Sequence, residues 1–226
     1  MRKLITAAFI SLDGVMQAPG GPEEDPSRGF AFGGWTAPYW NEPAGQEKLG
    51  AFMGEIFTPP FDLLLGRRTW EIFAAHWPHV GNDDPMGAML TRATKYVATR
   101  SPQRLTWTNS VALSGDPVVE VAKLKQQDGP VLLTQGSSEL VHALLQHDLI
   151  DELRLLTFPV ILGRGKRLFT EAAAPCSLSL TRAEVGPTGV VMTVHKRRGA
   201  IQTGSFAMDE PSAEELARRA SLAGEG

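Results

Sequence analysis

The sequence predicts an α/β fold with a mostly parallel central sheet, helices on both faces and a closing antiparallel hairpin. Apolar runs of strand length alternate with amphipathic segments through most of the chain, which favours parallel strands joined by helical crossovers. The alternation ends in two strand-like runs, 178–184 and 190–196, around a Gly-Pro-Thr-Gly turn typical of a hairpin. Ligands of such sheets bind beyond the carboxyl ends of the strands, so the turns at those ends are the first candidates for a site.

The first half of the chain contains a short buried strand and then an unusually long loop. Residues 4–10 form an apolar run, typical of a strand buried on both faces. Residues 11–35 are rich in glycine, proline and acidic residues, and we expect a long mobile loop that covers a site. The further elements expected here are a helix over 43–56, a strand at 61–65, a short helix at 69–75, a helix near 84–92 and a strand around 96–98.

The second half continues the alternation. Pro159 separates the apolar runs 152–158 and 160–162, which indicates an edge strand or a break. Ser138 is a candidate N-cap for a helix over 139–146. The other elements expected before the hairpin are a short strand within 106–113, a helix over 117–126 and a strand at 131–134. Residues 1–197 are thus expected to form one domain, and residues 198–226 an extension that is flexible or forms a short helix over 213–222.

Composition limits the classes of function. The 226-residue chain has a net charge of −3, which lacks the basic surplus typical of proteins that bind nucleic acid or anionic membranes. No segment reaches the length of a membrane span. Cys176 is the only cysteine, so no intrachain disulfide can form and a cytoplasmic location is expected. None of the five histidines has a metal-binding spacing, so we expect no metal site.

Three turns that follow predicted strands carry groups suited to phosphate. Gly66-Arg67-Arg68-Thr69-Trp70-Glu71 places free backbone N–H groups at a helix start, beside two guanidinium groups and a hydroxyl. Thr99-Arg100-Ser101 suits a phosphate monoester, such as the 2′-phosphate of NADPH, and Gly136-Ser137-Ser138 suits a pyrophosphate. Each could instead be an ordinary capped turn. Parallel strands would bring all three, together with the 11–35 loop, to one edge.

Several of these segments resemble parts of dihydrofolate reductase. The resemblance includes Leu4-Ile5-Thr6-Ala7-Ala8 leading into a loop, the Gly66–Glu71 hexapeptide and Thr99-Arg100-Ser101. Ser11-Leu12-Asp13-Gly14, Gly136-Ser137-Ser138 and the residues 149–153 and 159–165 are similar to the C-terminal reductase domain of the bifunctional riboflavin-biosynthesis protein. The resemblance covers about residues 2–197. It implies a dihydrofolate-reductase-like fold of about eight strands with one antiparallel edge strand, an NADPH cofactor, and a homodimer with 151–162 as an interface strand.

The resemblance also implies which residues would bind NADPH. Val15, Met16 and Ala7 would flank the nicotinamide. The phosphate-binding residues carried over by position are Gly66, Arg67, Arg68 and Thr69 for the cofactor phosphates, Thr99, Arg100 and Ser101 for the 2′-phosphate, and Gln135, Gly136, Ser137, Ser138, Glu139 and Leu140 for the pyrophosphate.

A reductase of this kind also needs a proton source and a substrate pocket. Asp13, Glu47, or a water held by them, are the candidate proton donors. Asp13 could instead brace its loop, and Glu47 could simply lie on a solvated helix face. The aromatic residues Trp35, Trp40 and Phe52 are candidates for substrate binding.

Two positions depart from the related families. Gly45 stands where dihydrofolate reductases carry a carboxylate after a Trp-Asn-x-Pro-x run, and Gln135 stands where the riboflavin-pathway reductases carry an acid. These departures motivate an alternative to catalysis, whereas the function that the resemblance implies is an NADPH-dependent reductase that transfers hydride to a C=N or C=O group of a pteridine- or pyrimidine-riboside-like small molecule. The alternative is a non-catalytic nucleotide-binding protein that keeps the fold.

Overall fold

The computed structural model of the protein describes residues 1–80, 83–171, 173–207 and 210–222. The strands are β1 (Leu4–Ser11), β2 (Phe61–Gly66), β3 (Lys95–Ala98), β4 (Ser110–Leu113), β5 (Val131–Gln135), β6 (Glu152–Phe158), β7 (Ser177–Val185) and β8 (Val191–Gly199). The α-helices are α1 (Ala37–Trp40), α2 (Pro43–Phe57), α3 (Arg67–His76), α4 (Pro85–Arg92), α5 (Pro117–Gln126), α6 (Ser138–Gln146) and α7 (Ala213–Leu222). Every helix and strand predicted from the sequence is present, except that residues 160–162 are not a strand.

The eight strands form one sheet in the order β4-β3-β2-β5-β1-β6-β8-β7. Strands β1 to β6 run parallel to one another, and β8 runs antiparallel to both of its neighbours. The predicted mostly parallel α/β sheet with a closing antiparallel hairpin is therefore confirmed. One detail is corrected: the antiparallel strand β8 is not at the edge of the sheet, because β7 pairs with its outer side.

Alternate residues of the central strands enter two separate apolar layers. Leu63 and Leu65 of β2 pack in the layer that contains Phe52 of α2, whereas Leu64 packs in the layer that contains Leu144 of α6. A parallel strand covered on both faces buries side chains on each of them, which explains why β2 has three consecutive leucines, 63–65, rather than an alternating pattern. Helices therefore lie on both faces, as predicted.

Strand β6 has a different environment from the one predicted. It pairs with β1 on one side and with β8 on the other, so it lies inside the sheet. Pro159 marks only its end. An interior strand has no free edge, so β6 cannot extend the sheet into a second subunit. Whether 151–162 contributes to an interface in another way stays a prediction.

The long loop after β1 is packed rather than a free flap. The buried side chain of Gln17 donates from Nε2 to the carbonyl oxygens of Asp25 (2.9 Å) and Ser27 (3.0 Å), and its Oε1 accepts a hydrogen bond from the backbone N–H of Lys166. The indole N–H of Trp35 donates to the Gln17 carbonyl oxygen at 2.8 Å. A single glutamine thus joins both ends of the loop to the segment that follows β6.

The chain after β8 forms the short helix that the sequence allows. Ser212, just before α7, accepts a hydrogen bond at its Oγ from the backbone N–H of Glu215, and no α7 residue is buried. Within the described ranges, no helix combines the length and apolar character needed to cross a membrane.

Candidate functional site

The turns that the sequence marks for phosphate binding lie at the edge of the sheet formed by the carboxyl ends of its parallel strands. They follow β2, β3 and β5, which are parallel, and β2 pairs with both of the other two. Ser137 joins two of these turns directly. Its Oγ accepts a hydrogen bond from the backbone N–H of Gly66 at 2.8 Å, and its own N–H donates to Thr69 Oγ1 at 3.0 Å.

The turn between β5 and α6 needs a glycine. Gly136 has a φ of +62°, in the left-handed region that other residues rarely adopt. A Cβ at this position would lie 3.2 Å from both Oγ1 and Cγ2 of Thr69. The absence of a side chain at Gly136 therefore lets this turn approach the start of α3, and keeps open the backbone surface that a pyrophosphate would need.

The N-cap prediction at this turn is wrong. Ser138 is the first residue of α6, and the residue that precedes the helix is Ser137, with a left-handed φ of 55°. Ser137 makes no side-chain cap, because its hydroxyl is bonded to Gly66 instead. The first backbone N–H groups of α6 are consequently left without a side-chain cap, as an anion-binding helix start requires.

Arg67 connects the start of α3 to the turn after β3. Its Nε donates to Glu71 Oε1 at 2.8 Å, and its Nη1 donates to the carbonyl oxygen of Ser101 at 3.2 Å. The guanidinium carbon lies 4.9 Å from the centre of the Trp70 ring. These contacts fix the guanidinium in one orientation at the edge of the sheet.

The turn after β3 is compact and presents its arginine to solvent. The backbone N–H of Ser101 donates to Thr99 Oγ1 at 3.0 Å. Arg100 is exposed, and the described part of the chain offers it no carboxylate within ion-pair distance. Its charge is thus available to a ligand.

The residues predicted to flank a nicotinamide are buried. Ala7 lies within β1, and Val15 and Met16 lie in the loop just after it. Val15 is held there by a hydrogen bond from its N–H to Ser11 Oγ and by a strand-like bridge to Arg167. Because these side chains are part of the core, backbone atoms would have to make most of the contacts with a ring.

Three further residues predicted to bind the pyrophosphate lie around the turn between β5 and α6. Gln135 ends β5 and is half-buried, and Glu139 is exposed in the first turn of α6. Leu140 is buried in the apolar layer below α6, so only its backbone N–H could meet a phosphate.

Asp13 is a fully bonded carboxylate. Its Oδ1 accepts hydrogen bonds from Ser11 Oγ (2.6 Å) and from the backbone N–H of Leu162 (3.1 Å), and its Oδ2 accepts from the N–H of Gly163 (2.9 Å) and from Arg167 Nη2 (3.2 Å). Burial raises the pKa of Asp13, but the hydrogen bonds from Ser11, Leu162 and Gly163 outweigh it and lower the pKa to about 2. An ionised group in this setting braces the loop against the segment after β6.

This geometry gives a pH-dependent prediction. Because the folded-state pKa of Asp13 lies below its ordinary value of 3.8, its stabilising contribution is complete above that value and is lost as the pH falls towards about 2. We expect Asp13→Asn to lower the free energy of unfolding at neutral pH, and the difference from wild type to shrink in acid. Denaturant unfolding across this pH range measures it, with Asp128→Asn, at an exposed position, as the control. A difference that did not change with pH would contradict the account.

The second candidate proton donor is isolated. Glu47 is exposed on α2, and its side chain makes no hydrogen bond or ion pair with another described residue. The nearby Gly45 is buried, and a Cβ at that position would lie 2.6 Å from the carbonyl oxygen of Tyr39 and 2.7 Å from Thr188 Cγ2. The position at which dihydrofolate reductases carry an acid therefore has no room for one.

The aromatic candidates differ in their environments. Trp35 is buried edge-to-face against Phe158, with ring centres 5.3 Å apart, and Phe52 is buried beneath the Arg182 guanidinium. Trp40 is half-buried against Phe9. Of the three candidate substrate residues, Trp40 alone has appreciable exposed surface.

An open cleft of about 550 Å³ lies between the long loop and the segment after β6. Its lining residues are Gly29, Ala31, Phe32, Leu162, Gly163 and Arg164. The cleft adjoins Asp13, which binds the backbone of two of these residues. No sequence pattern predicts this cleft, because its two walls come from segments more than a hundred residues apart.

The chain matches a known family over most of its length. The RibD C-terminal domain family matches residues 2–192. The uncharacterized protein YyaP of Bacillus subtilis (strain 168) is 25% identical over 207 residues, covering 88% of this chain and 96% of YyaP. The uncharacterized protein YwjB of the same strain is 27% identical over 179 residues, covering 79% of this chain and 89% of YwjB.

Solved structures share the fold. A candidate riboflavin biosynthesis protein from Shewanella sp. PV-4 superposes with a TM-score of 0.59 at 21% identity, covering 87% of this chain and 99% of that one. A pyrimidine reductase-like protein from Corynebacterium diphtheriae superposes with a TM-score of 0.54 at 14% identity, covering 89% and 93%. At these identities the likeness supports the fold alone. The family match shows that this chain belongs to the RibD C-terminal domain family, which supports a reductase-like role.

Proposed function

We propose that the protein is an NADPH-dependent reductase that transfers hydride to a C=N or C=O group of a pteridine- or pyrimidine-riboside-like small molecule. The observation that carries the proposal is the joining of the β2–α3 and β5–α6 turns through Ser137. This contact places the guanidinium-bearing start of α3 beside the uncapped start of α6. Together, these groups would bind the linked phosphates of a dinucleotide.

The residues along this edge fit NADPH. Arg67, Arg68 and Thr69 would bind the phosphates, the backbone around Gly136 would bind the pyrophosphate, and Arg100 would bind the 2′-phosphate. When bound, the nicotinamide supplies a hydride from its C4 atom. The protein would orient the two reactants beneath the packed loop after β1.

The proton is assigned to a water molecule rather than to Asp13. An aspartate with a pKa of about 2 is ionised at neutral pH and has no proton to give. Its hydrogen bonds to Leu162 and Gly163 instead hold the floor of the open cleft. Solvent reaches this cleft, so a water there could donate the proton that the reduced substrate takes up, and the hydroxide left behind would be neutralised by bulk solvent.

A cytoplasmic homodimer is part of the same proposal. The single, unpaired cysteine suits a reducing compartment. With β6 inside the sheet, the strands with a free edge are β4 and β7, and we assign the second subunit to β7, which is the longer of the two and exposes Leu180 and Val185. Size-exclusion chromatography with light scattering measures the subunit number.

One observation favours a second candidate function. Gly45 has no space for an acid, and Gln135 replaces another, so both departures from the related reductases persist in the structure. A protein that binds the nucleotide without turning over a substrate would keep the phosphate-binding edge and need neither acid.

A turnover assay separates the two candidates. The protein is mixed with NADPH and a panel of oxidised pteridines and pyrimidine ribosides, and the nicotinamide absorbance is followed. We expect oxidation of NADPH with at least one acceptor, and none without protein. Binding of NADPH with no oxidation on any acceptor would favour the non-catalytic alternative.

A further inference from the structure

A buried carboxylate stands next to the proposed phosphate site. Asp25, in the long loop after β1, has a side chain that is only 10% exposed. Its Oδ1 accepts a hydrogen bond from Arg68 Nη1 at 3.0 Å, and its Oδ2 accepts one from Lys166 Nζ. The backbone N–H of Ser27 also donates to Oδ1, at 3.3 Å. Three separate parts of the chain therefore meet at this one carboxylate.

Asp25 is fixed from the backbone as well. Its carbonyl oxygen accepts a hydrogen bond from Gln17 Nε2, and the same glutamine accepts one from the N–H of Lys166. Moving the carboxylate away would break its hydrogen bonds with Ser27 and Lys166, and would leave the Lys166 side chain, which is only 18% exposed, without its partner. Asp25 is thus built into the loop and is not a displaceable occupant of the phosphate site.

The contact to Arg68 uses little of the arginine. A guanidinium has five N–H donors, and Asp25 accepts from Nη1 alone. The Arg68 side chain is 58% exposed, so its remaining donors face solvent at the edge of the sheet. A guanidinium held on one side and free on the other loses less conformational entropy when it binds an anion.

We propose that Asp25 is a positioning residue that orients Arg68 towards the dinucleotide phosphates and couples the packing of the long loop to that arginine. This inference rests on the proposed function, because it takes NADPH as the ligand of the edge. It adds a residue that no sequence motif marked: in the sequence, Asp25 ends an acidic Glu-Glu-Asp run in a loop, which is typical of a solvated surface.

Two possible roles of Asp25 predict opposite changes in NADPH affinity when its charge is removed. If Asp25 acted only through its negative charge, removing that charge beside a phosphate site would strengthen the binding of NADPH. If Asp25 orients Arg68, removing the charge frees the arginine and weakens binding.

The test is the dissociation constant for NADPH of Asp25→Asn, measured by titration calorimetry. We expect it to rise about tenfold, as for the loss of one charge-assisted hydrogen bond. Asp62→Asn is the matched control, because Asp62 is also a buried carboxylate paired with an arginine, Arg2, but lies at the start of β2. Its NADPH affinity should stay within about twofold of wild type.

A double-mutant cycle shows whether Asp25 acts through Arg68. In an Arg68→Ala background, Asp25→Asn should change the affinity by less than about twofold, because the group it positions is gone. Tighter or unchanged binding by Asp25→Asn, or an equal loss in both backgrounds, would overturn the proposal. A merely structural role would lower stability without depending on Arg68.

If Asp25→Asn does not fold, Asp25→Glu makes the same test, because it keeps the charge but moves the carboxylate by one methylene. It should weaken NADPH binding in the wild-type background and have no effect without Arg68, and unchanged binding would overturn the proposal. Failure of the wild-type protein to bind NADPH would overturn this inference together with the proposed function. Normal binding by the Asp25 variants would overturn this inference alone.

Discussion

Replacing Gly45 by aspartate is expected to lower the free energy of unfolding by about 2–4 kcal/mol. The substitution would restore the acid that dihydrofolate reductases carry at this position. In this protein a Cβ would meet the Tyr39 carbonyl oxygen at 2.6 Å and Thr188 Cγ2 at 2.7 Å. The backbone oxygen cannot move without shifting α1, and the new carboxylate would be buried without a partner. Chemical denaturation of the variant and wild type measures the loss.

The same helix provides the control. Gly50 is exposed on α2, and a Cβ there would meet nothing within 4 Å. Gly50→Asp adds the same charge to α2 and should change stability by less than about 1 kcal/mol. A Gly45→Asp variant as stable as the control would contradict the packing account. If that variant also gained dihydrofolate reduction, the missing acid rather than the shape of the site would be what separates this protein from the folate enzymes.

Replacing Arg100 by alanine is expected to weaken NADPH binding by about ten- to a hundredfold and to leave NADH binding within about twofold. The guanidinium is exposed at the turn after β3, and the described residues give it no ion pair to lose. A charged hydrogen-bond donor that binds only the 2′-phosphate contributes to one cofactor and not to the other. Parallel titrations with the two dinucleotides measure the difference.

Arg104 is the matched control for this change. It is exposed a few residues further along the chain, and Arg104→Ala removes the same charge from the same neighbourhood. Arg104→Ala should weaken NADPH binding only slightly, because a positive charge that does not contact the ligand acts on it only at long range. An equal loss for NADPH and NADH in Arg100→Ala, or an equal effect of Arg104→Ala, would remove the 2′-phosphate assignment.

The fold could be predicted because local patterns decide it. The three consecutive leucines of β2, between a helix and a glycine, need two covered faces whatever the neighbouring strands are. Strand order and edge positions could not be predicted in the same way. Pro159 is typical of an edge strand, yet β6 lies inside the sheet, because the proline falls just after the last paired residue. Pairing partners depend on long-range contacts that no local pattern contains.

The candidate site divides in the same manner. Turns at strand ends, such as those at Arg67 and Gly136, could be predicted to lie together, because the carboxyl ends of parallel strands lie on the same side of a sheet. The contacts of Asp25 could not be predicted, because its partners Arg68 and Lys166 are 43 and 141 residues away in sequence. The burial of Trp35 could not be predicted either: this aromatic loop residue, a candidate for substrate binding, is part of the core.

The central claim is that these turns together bind NADPH, and titration calorimetry of the wild-type protein with NADPH and NADH tests it most directly. The account predicts saturable binding of one NADPH per chain and clearly weaker binding of NADH. No binding of either dinucleotide, or equal affinity for both, would contradict it.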